Sequence, residues 1–145
     1  MTIVEKSALV PYSASQMFAL VSDVASYPQF LPWCKASEVL SQDKEGIQAS
    51  VTLSWAGVEK TFVTRNLHQQ GLVIDIQLVE GPFKQLEGIW RFEQLGDLGS
   101  KVTLDLEFSF SSRILDKMVG PVFTQIANSL VESFHKRAQE VYDDG

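Results

Sequence analysis

Alternation of apolar and polar side chains is the clearest pattern along the chain, and it predicts a series of β-strands. From Val102 to Phe110 every second residue is apolar, and the residues between them are threonine, aspartate, glutamate or serine. This alternation is typical of a strand with one buried face. Seven strands are predicted, over residues 2–10, 33–40, 47–55, 58–67, 72–78, 85–95 and 102–110.

Short turn signals separate most of these strands. They are Ala56–Gly57, Gln70–Gly71, Gly81–Pro82 and residues 97–99, all built from residue types that favour turns. Because the connections are short, neighbouring strands are expected to pair antiparallel.

Residues 112–143 have apolar side chains at a three-and-four spacing, which predicts one long helix with a single apolar face. These positions are Leu115, Met118, Val119, Val122, Phe123, Ile126, Leu130, Phe134, Ala138 and Val141. At about 1.5 Å per residue the helix would span on the order of 40 Å. A curved antiparallel sheet is the natural cover for such a face. The predicted fold is therefore α+β, with one domain over residues 1–145.

Two shorter helices are predicted between the first two strands. Ser13 and Gln16 have the spacing of a capping box at the start of the first helix. Ser26 and Gln29 repeat that spacing and predict a second, shorter turn.

Gly120–Pro121 interrupts the long helical pattern. Proline in a helix loses the hydrogen bond to the carbonyl four residues back, here that of Lys117, so a kink or a mobile first segment is expected. Two interpretations stay open. Residues 114–119 act as a lid that admits a ligand, or the bend lets a long helix follow a curved sheet.

The two ends of the predicted sheet differ in character. In an antiparallel meander, alternate connections lie at the same end. One end collects the aromatic and apolar segments 27–33, 55–58, 81–83 and 114–123. The opposite end collects the polar segments 41–46, 69–71 and 97–100. This asymmetry indicates the mouth of an apolar pocket at the first end, and the alternative is ordinary core packed under loops.

Charge limits the function classes. The formal net charge of −6 opposes nonspecific binding to nucleic acid or to an anionic bilayer, and no direct DNA binding is expected, although a local basic patch is compatible with this balance. The single Cys34 has no internal disulfide partner, and no signal-peptide pattern opens the chain, so a cytoplasmic location is expected. No apolar run approaches the roughly 20 residues that span a bilayer, so any membrane contact would be peripheral.

The sequence carries no recognisable catalytic set. Neither His68 nor His135 stands in a pattern with a serine or cysteine nucleophile, and Cys34 is expected to be an apolar packing residue. A metal-spaced Cys/His cluster, a P-loop and a dinucleotide fingerprint are all missing from the sequence, so no metal or cofactor is expected.

Five groups of residues together resemble a known family. They are Val10-Pro11-Tyr12-Ser13-Ala14, Tyr27-Pro28-Gln29-Phe30-Leu31-Pro32, Lys60-Thr61-Phe62 with Thr64-Arg65-Asn66, Gly81-Pro82-Phe83-Lys84, and Phe134 with Arg137-Ala138 and Val141-Tyr142. This combination resembles the bacterial ribosome-association toxin branch of the coenzyme Q-binding protein family. That family is part of the START-like (polyketide cyclase/dehydrase and lipid transport) superfamily.

The resemblance implies a helix-grip (START-like/Bet v 1-like) fold, in which seven curved antiparallel strands and the C-terminal helix enclose a hydrophobic tunnel. It also implies binding of ubiquinone or a similar polyprenyl lipid in support of respiration. In one branch it implies interference with the association of the ribosomal subunits. Transient peripheral contact with the inner membrane is compatible with this interpretation.

Three functional hypotheses follow from the pattern and the resemblance. The first is a non-enzymatic carrier or chaperone of a quinone or related lipid, which requires an apolar tunnel and no catalytic dyad. The second is a ribosome-association toxin that binds the large ribosomal subunit and blocks subunit joining. The third is an enzyme of cyclase or dehydrase type, which requires a polar cluster deep in the tunnel.

The residues expected to line or gate the tunnel come from the aromatic end and the helix. They are Tyr27, Phe30, Leu31, Trp33, Trp55, Phe62, Arg65, Phe83, Trp90, Met118, Val122, Phe123 and Ile126. Tyr27, Arg65, Asn66 and Arg91 are the candidate polar anchors, with a surface position expected for each arginine.

Overall fold

The computed structural model describes residues 2–55, 57–69 and 72–143. The turn predicted at Gln70–Gly71 and the first residue of the one predicted at Ala56–Gly57 lie outside these ranges. The elements follow in chain order as β1 (Thr2–Val10), α1 (Ala14–Ser22), a 3-10 helix (Val24–Gln29), β2 (Cys34–Gln42), β3 (Gly46–Trp55), β4 (Val58–Gln69), β5 (Val73–Glu80), β6 (Phe83–Leu95), β7 (Gly99–Phe110), α2 (Arg113–Met118) and α3 (Gly120–Tyr142).

The strands of the described residues form one antiparallel sheet in the order β1-β7-β6-β5-β4-β3-β2. Strands that follow one another pair directly from β2 to β7, as their short connections require. β1 joins the other side of β7, with Val4 opposite Leu106. All seven predicted strands are thus confirmed.

One face of this sheet packs on α3. In β7 the apolar residues of the alternating pattern are buried, as are those of α3 at helical spacing. On α3 the buried side chains are Phe123, Ile126, Ala127, Val131, Phe134 and Ala138. A strand buries every second residue and a helix every third or fourth, so the two patterns meet in one core. The expected helix-grip architecture is confirmed.

The long C-terminal helix is confirmed as α3, and the chain is interrupted next to Gly120–Pro121 as expected; one continuous helix over residues 112–143 is wrong, because two helices cover this range. α2 ends at Met118 and α3 begins at Gly120, with Val119 between them. The break places Pro121 in the first turn of α3. N–H groups there make no hydrogen bond within the helix, so proline costs none. α3 is 23 residues long, about 35 Å. A lid movement of residues 114–119 stays a prediction.

The helical segments before β2 also differ in part from expectation. The capping box of α1 is confirmed, with Ser13 Oγ accepting from Gln16 N at 3.1 Å and Gln16 Oε1 accepting from Ser13 N at 2.9 Å. The cap expected at Ser26 is wrong, because the 3-10 helix begins earlier, at Val24. Ser26 Oγ instead donates to the carboxylate of Asp23 at 2.6 Å.

A small cavity beneath an aromatic cap

Five phenylalanine rings close the end of the sheet at which the sequence predicts a mouth. We call them the aromatic cap: Phe62, Phe83, Phe108, Phe110 and Phe123. The Phe123 ring centroid lies 4.6 Å from that of Phe108, 5.1 Å from Phe83, 5.8 Å from Phe110 and 6.1 Å from Phe62. These are the separations of packed edge-to-face rings. The cap therefore fills space that the open-tunnel hypothesis leaves empty.

The turn between β5 and β6 brings Phe83 into this cap. Gly81 has a φ of +156°, and a Cβ at this position would lie 2.7 Å from Cβ of Phe62. Glycine is thus required for the turn to lie against β4. The turn is also tied to the end of β7, because Ser111 N donates to the carbonyl oxygen of Pro82 at 2.9 Å.

A small cavity lies between the sheet and α3. Its volume is about 100 Å³, below the 300 Å³ or more that is usual for small-molecule sites. Its walls are mainly apolar side chains from the 3-10 helix, the inner sheet face and α3. The lining residues are Val24, Tyr27, Trp33, Val51, Phe62, Thr64, Asn66, Ile76, Leu86, Trp90, Leu106, Phe123, Ile126, Ala127, Leu130 and Phe134. A cavity of this size holds one small ring and no extended prenyl tail.

A second group of rings lies at one side of the cavity, and three of its four members line it. Phe134 of α3 lies at its centre, with ring centroids 5.5 Å from Tyr27, 5.4 Å from Phe30 and 5.5 Å from Trp90. The guanidinium of Arg137 lies 5.0 Å from the centroid of the Phe30 ring, over its face. This group of rings ties the segment after the 3-10 helix to α3.

Two polar side chains on β4 line this mainly apolar cavity. Thr64 and Asn66 share one strand face and are both buried, and Thr64 Oγ1 donates to Asn66 Oδ1 at 3.0 Å. Trp33 also lines the cavity, and its indole Nε1 is buried without a hydrogen-bond partner among the described residues. These groups are the polar features that a bound molecule would meet.

The lining holds no acid–base or nucleophilic set. Its described residues include no carboxylate, histidine or cysteine, and Tyr27 is the titratable group. The Tyr27 hydroxyl donates to the carbonyl of Val21, and burial raises its pKa, so the phenol stays neutral. Burial also raises the pKa of the Cys34 thiol to about 11, which disfavours the reactive thiolate.

The two histidines lie apart from the cavity lining. The His68 ring packs on Phe18, with centroids 5.3 Å apart, and burial lowers its pKa. His135 packs against Tyr12 with a centroid distance of 6.2 Å. Within residues 2–55, 57–69 and 72–143, no group of three or more His, Cys, Asp or Glu side chains is arranged to hold a metal ion.

The structure brings six of the thirteen predicted site residues together on the cavity wall. They are Tyr27, Trp33, Phe62, Trp90, Phe123 and Ile126. Three more pack around it: Phe30 against Phe134, Phe83 in the aromatic cap, and Leu31 in the core. As ligand contacts, all of them stay predictions.

The remaining four predicted residues do not reach the lining. Arg65 lies on the strand face opposite Thr64 and Asn66 and pairs with Asp43 at 2.7 Å. Trp55 and Met118 are exposed, and Val122 is half-buried outside the lining. The surface position expected for Arg91 is found, since it pairs with Asp105 at 2.7 Å.

Sequence reasoning left several lining residues out of the predicted site. They include Val24, Val51, Thr64, Ile76, Leu86, Leu106, Ala127, Leu130 and Phe134. Two signals were present in the sequence. Alternation along β4 places Phe62, Thr64 and Asn66 on one face, and the helical spacing of α3 puts Phe134 in line with Phe123.

The chain matches a family described as polyketide cyclase/dehydrase and lipid transport over residues 10–135. It is 47% identical over 141 residues to the ribosome association toxin RatA of Vibrio cholerae, covering 97% of this chain and 98% of that protein. It is 30% identical over 145 residues to the mitochondrial coenzyme Q-binding protein COQ10 homolog B of Xenopus laevis, covering 94% of this chain and 58% of that protein.

Among solved structures, the Zhui aromatase/cyclase from a Streptomyces species has a TM-score of 0.86 against this chain. The match covers 99% of this chain and 98% of that one, at 17% identity. Such low identity shows a shared fold and carries no catalytic role. In the described ranges, no helix is both long enough and apolar enough to cross a membrane.

Proposed function

Because this chain belongs to the polyketide cyclase/dehydrase and lipid transport family, and its near-full-length relatives are named for ribosome association, we propose that it acts on ribosomes. The observation that carries this proposal is the 47% identity to the Vibrio cholerae protein over almost the whole of both chains. The more specific proposal is that the chain binds the large ribosomal subunit without catalysis and hinders subunit joining.

The geometry of the cavity supports a role that does not depend on chemistry inside it. The described lining contains no carboxylate, histidine or cysteine, and its Tyr27 hydroxyl is held neutral in a hydrogen bond to the backbone. A ribosome contact would therefore use the outer surface. The net charge of −6 favours contact through ribosomal protein or a local basic patch over broad contact with RNA.

Purified chain is expected to comigrate with isolated large subunits in a sucrose gradient at low salt and to dissociate as salt rises, because surface charge contacts are screened. It is also expected to reduce the yield of joined ribosomes when subunits are mixed. An unrelated acidic protein of similar mass is the control. Absence of comigration at low salt would remove this proposal.

A second candidate function is binding of a hydrophobic molecule with a polar head, such as ubiquinone. The specific observation in its favour is the apolar cavity with the Thr64–Asn66 pair in its wall. A quinone ring is close to the size of this cavity. A prenyl tail would require the aromatic cap to move, at the cost of contacts around Phe123.

Short-chain ubiquinone is expected to quench tryptophan fluorescence, because Trp33 and Trp90 both line the cavity. Asn66→Leu is expected to weaken this binding about 5–10-fold, the usual net worth of one hydrogen bond. Asn128→Leu, at an exposed position of α3, is the matched control and should leave it unchanged. Protein that carries no lipid when purified and shows no quenching by quinone would refute this candidate.

A further inference from the structure

The six-residue helix α2 has two unlike faces. Leu115 packs against the core, Asp116 is exposed but accepts a hydrogen bond from Phe110, and Val119, just beyond the helix, is 2% exposed. The residues at the intervening positions form a contiguous opposite face, because residues three and four apart lie on the same side of a helix. We call this the outer face of α2, and it consists of Arg113, Ile114, Lys117 and Met118.

Hydrogen bonds fix this orientation. Asp116 Oδ1 accepts from the backbone N–H of Phe110 at 3.2 Å, which ties α2 to the end of β7. Ser112 Oγ accepts from Leu115 N at 3.2 Å and caps the helix. Val119 N donates to the carbonyl of Leu115 at 2.8 Å. The exposure of the outer face is therefore a consequence of the fold.

Both apolar residues of the outer face are unusually exposed. Ile114 is 70% exposed and Met118 is 62% exposed, and they lie one turn apart. Single exposed apolar side chains are common on protein surfaces, whereas adjacent ones flanked by charge mark contact sites. Within residues 2–55, 57–69 and 72–143, no ion pair includes Arg113 or Lys117. Both cations are thus available to a partner.

We propose that the outer face of α2 docks on an anionic phospholipid bilayer. Ile114 and Met118 enter the boundary between headgroups and acyl chains, and Arg113 and Lys117 contact lipid phosphates. A bilayer surface offers acyl chains to the two apolar residues and phosphates to the two cations. RNA offers phosphates for the cations but no apolar environment for Ile114 and Met118.

Charge on the rest of the protein determines how the docked molecule is oriented. The outer face of the sheet is rich in carboxylates, with Glu5 opposite Asp105 and Glu87 opposite Glu107 in the strand register. These would be repelled by anionic lipid. Docking is therefore confined to the α2 end, and it is reversible, because two apolar side chains and two cations give weak attachment. This docking does not depend on ribosome association.

The test is flotation of the full chain with vesicles of phosphatidylethanolamine and phosphatidylglycerol, and with pure phosphatidylcholine vesicles. Binding to the anionic vesicles is expected at low salt, about tenfold or more above that to the neutral ones. The double variants Ile114→Ser/Met118→Ser and Arg113→Gln/Lys117→Gln are each expected to lower the partition coefficient about tenfold or more. Leu98→Ser, at an 88% exposed leucine, is the control and should stay within about twofold of the parent.

Circular dichroism of each variant is expected to match the parent, because all four outer-face side chains are exposed. Equal flotation of parent and double variants would overturn the proposal, as would a parent chain that binds neither vesicle. If the double variants keep vesicle binding and lose comigration with ribosomal subunits, the proposal is also overturned, and the face belongs to the ribosome contact. Loss of flotation with ribosome comigration intact supports it.

Discussion

Replacing Phe123 by alanine is expected to lower the free energy of unfolding by about 3–5 kcal/mol, the range for removal of a buried aromatic ring. Phe123 is 7% exposed and lies against four other phenylalanine rings, two of them within about 5 Å. The lost ring would leave a space continuous with the cavity, since Phe123 forms part of its lining. The surrounding strands limit how far that space can collapse.

Chemical denaturation with guanidinium chloride measures this loss. Phe123→Leu is the matched variant, and because it keeps most of the side-chain volume it should lose less than about 1.5 kcal/mol. Benzene gives a second readout. It is expected to raise the melting temperature of the alanine variant more than that of the parent, whose cavity is smaller by the volume of the lost ring. A loss below about 1 kcal/mol for Phe123→Ala would contradict a closely packed aromatic cap.

The sheet could be predicted from the sequence because each strand buries one face. In β7 the alternation is uninterrupted from Val102 to Phe110, so burial and sequence period agree at every position. The position of the helix break was harder to predict. Gly120–Pro121 signals an interruption, but proline fits either a kinked helix or the first turn of a new one. Packing of Leu115 and Val119 on the core selects the second arrangement.

The site was predictable in location and not in volume. Every second connection of an antiparallel sheet lies at the same end, and this predicts an aromatic end. Five phenylalanine rings are found there. Whether such rings leave a tunnel or fill it depends on side-chain rotamers and on the distance between α3 and the sheet. A sequence pattern specifies neither. Arg65 illustrates a different limit, because placing it in the lining ignored the alternation that puts its neighbours Thr64 and Asn66 inside.

Two glycine-to-alanine substitutions are expected to change stability by very different amounts. At Gly99, the start of β7, a Cβ would lie 2.0 Å from the carbonyl oxygen of Val10 and 3.1 Å from Cα of Pro11. Val10 is held in the β1–β7 pairing and Pro11 directly follows it, so relief requires the strands to separate locally. Gly99→Ala is therefore expected to cost about 2–3 kcal/mol.

At Gly120, the first residue of α3, a Cβ would meet no atom within 4 Å apart from its chain neighbours and the nearby backbone of its own helix. Gly120→Ala is therefore expected to change stability by less than about 1 kcal/mol, because the smaller loss of backbone entropy by alanine is offset by contact of its Cβ with Pro121. Guanidinium denaturation of both variants beside the parent measures the difference. A loss at Gly120 as large as that at Gly99 would contradict this expectation. It would mean that the contact with Pro121 makes glycine necessary at the boundary between α2 and α3.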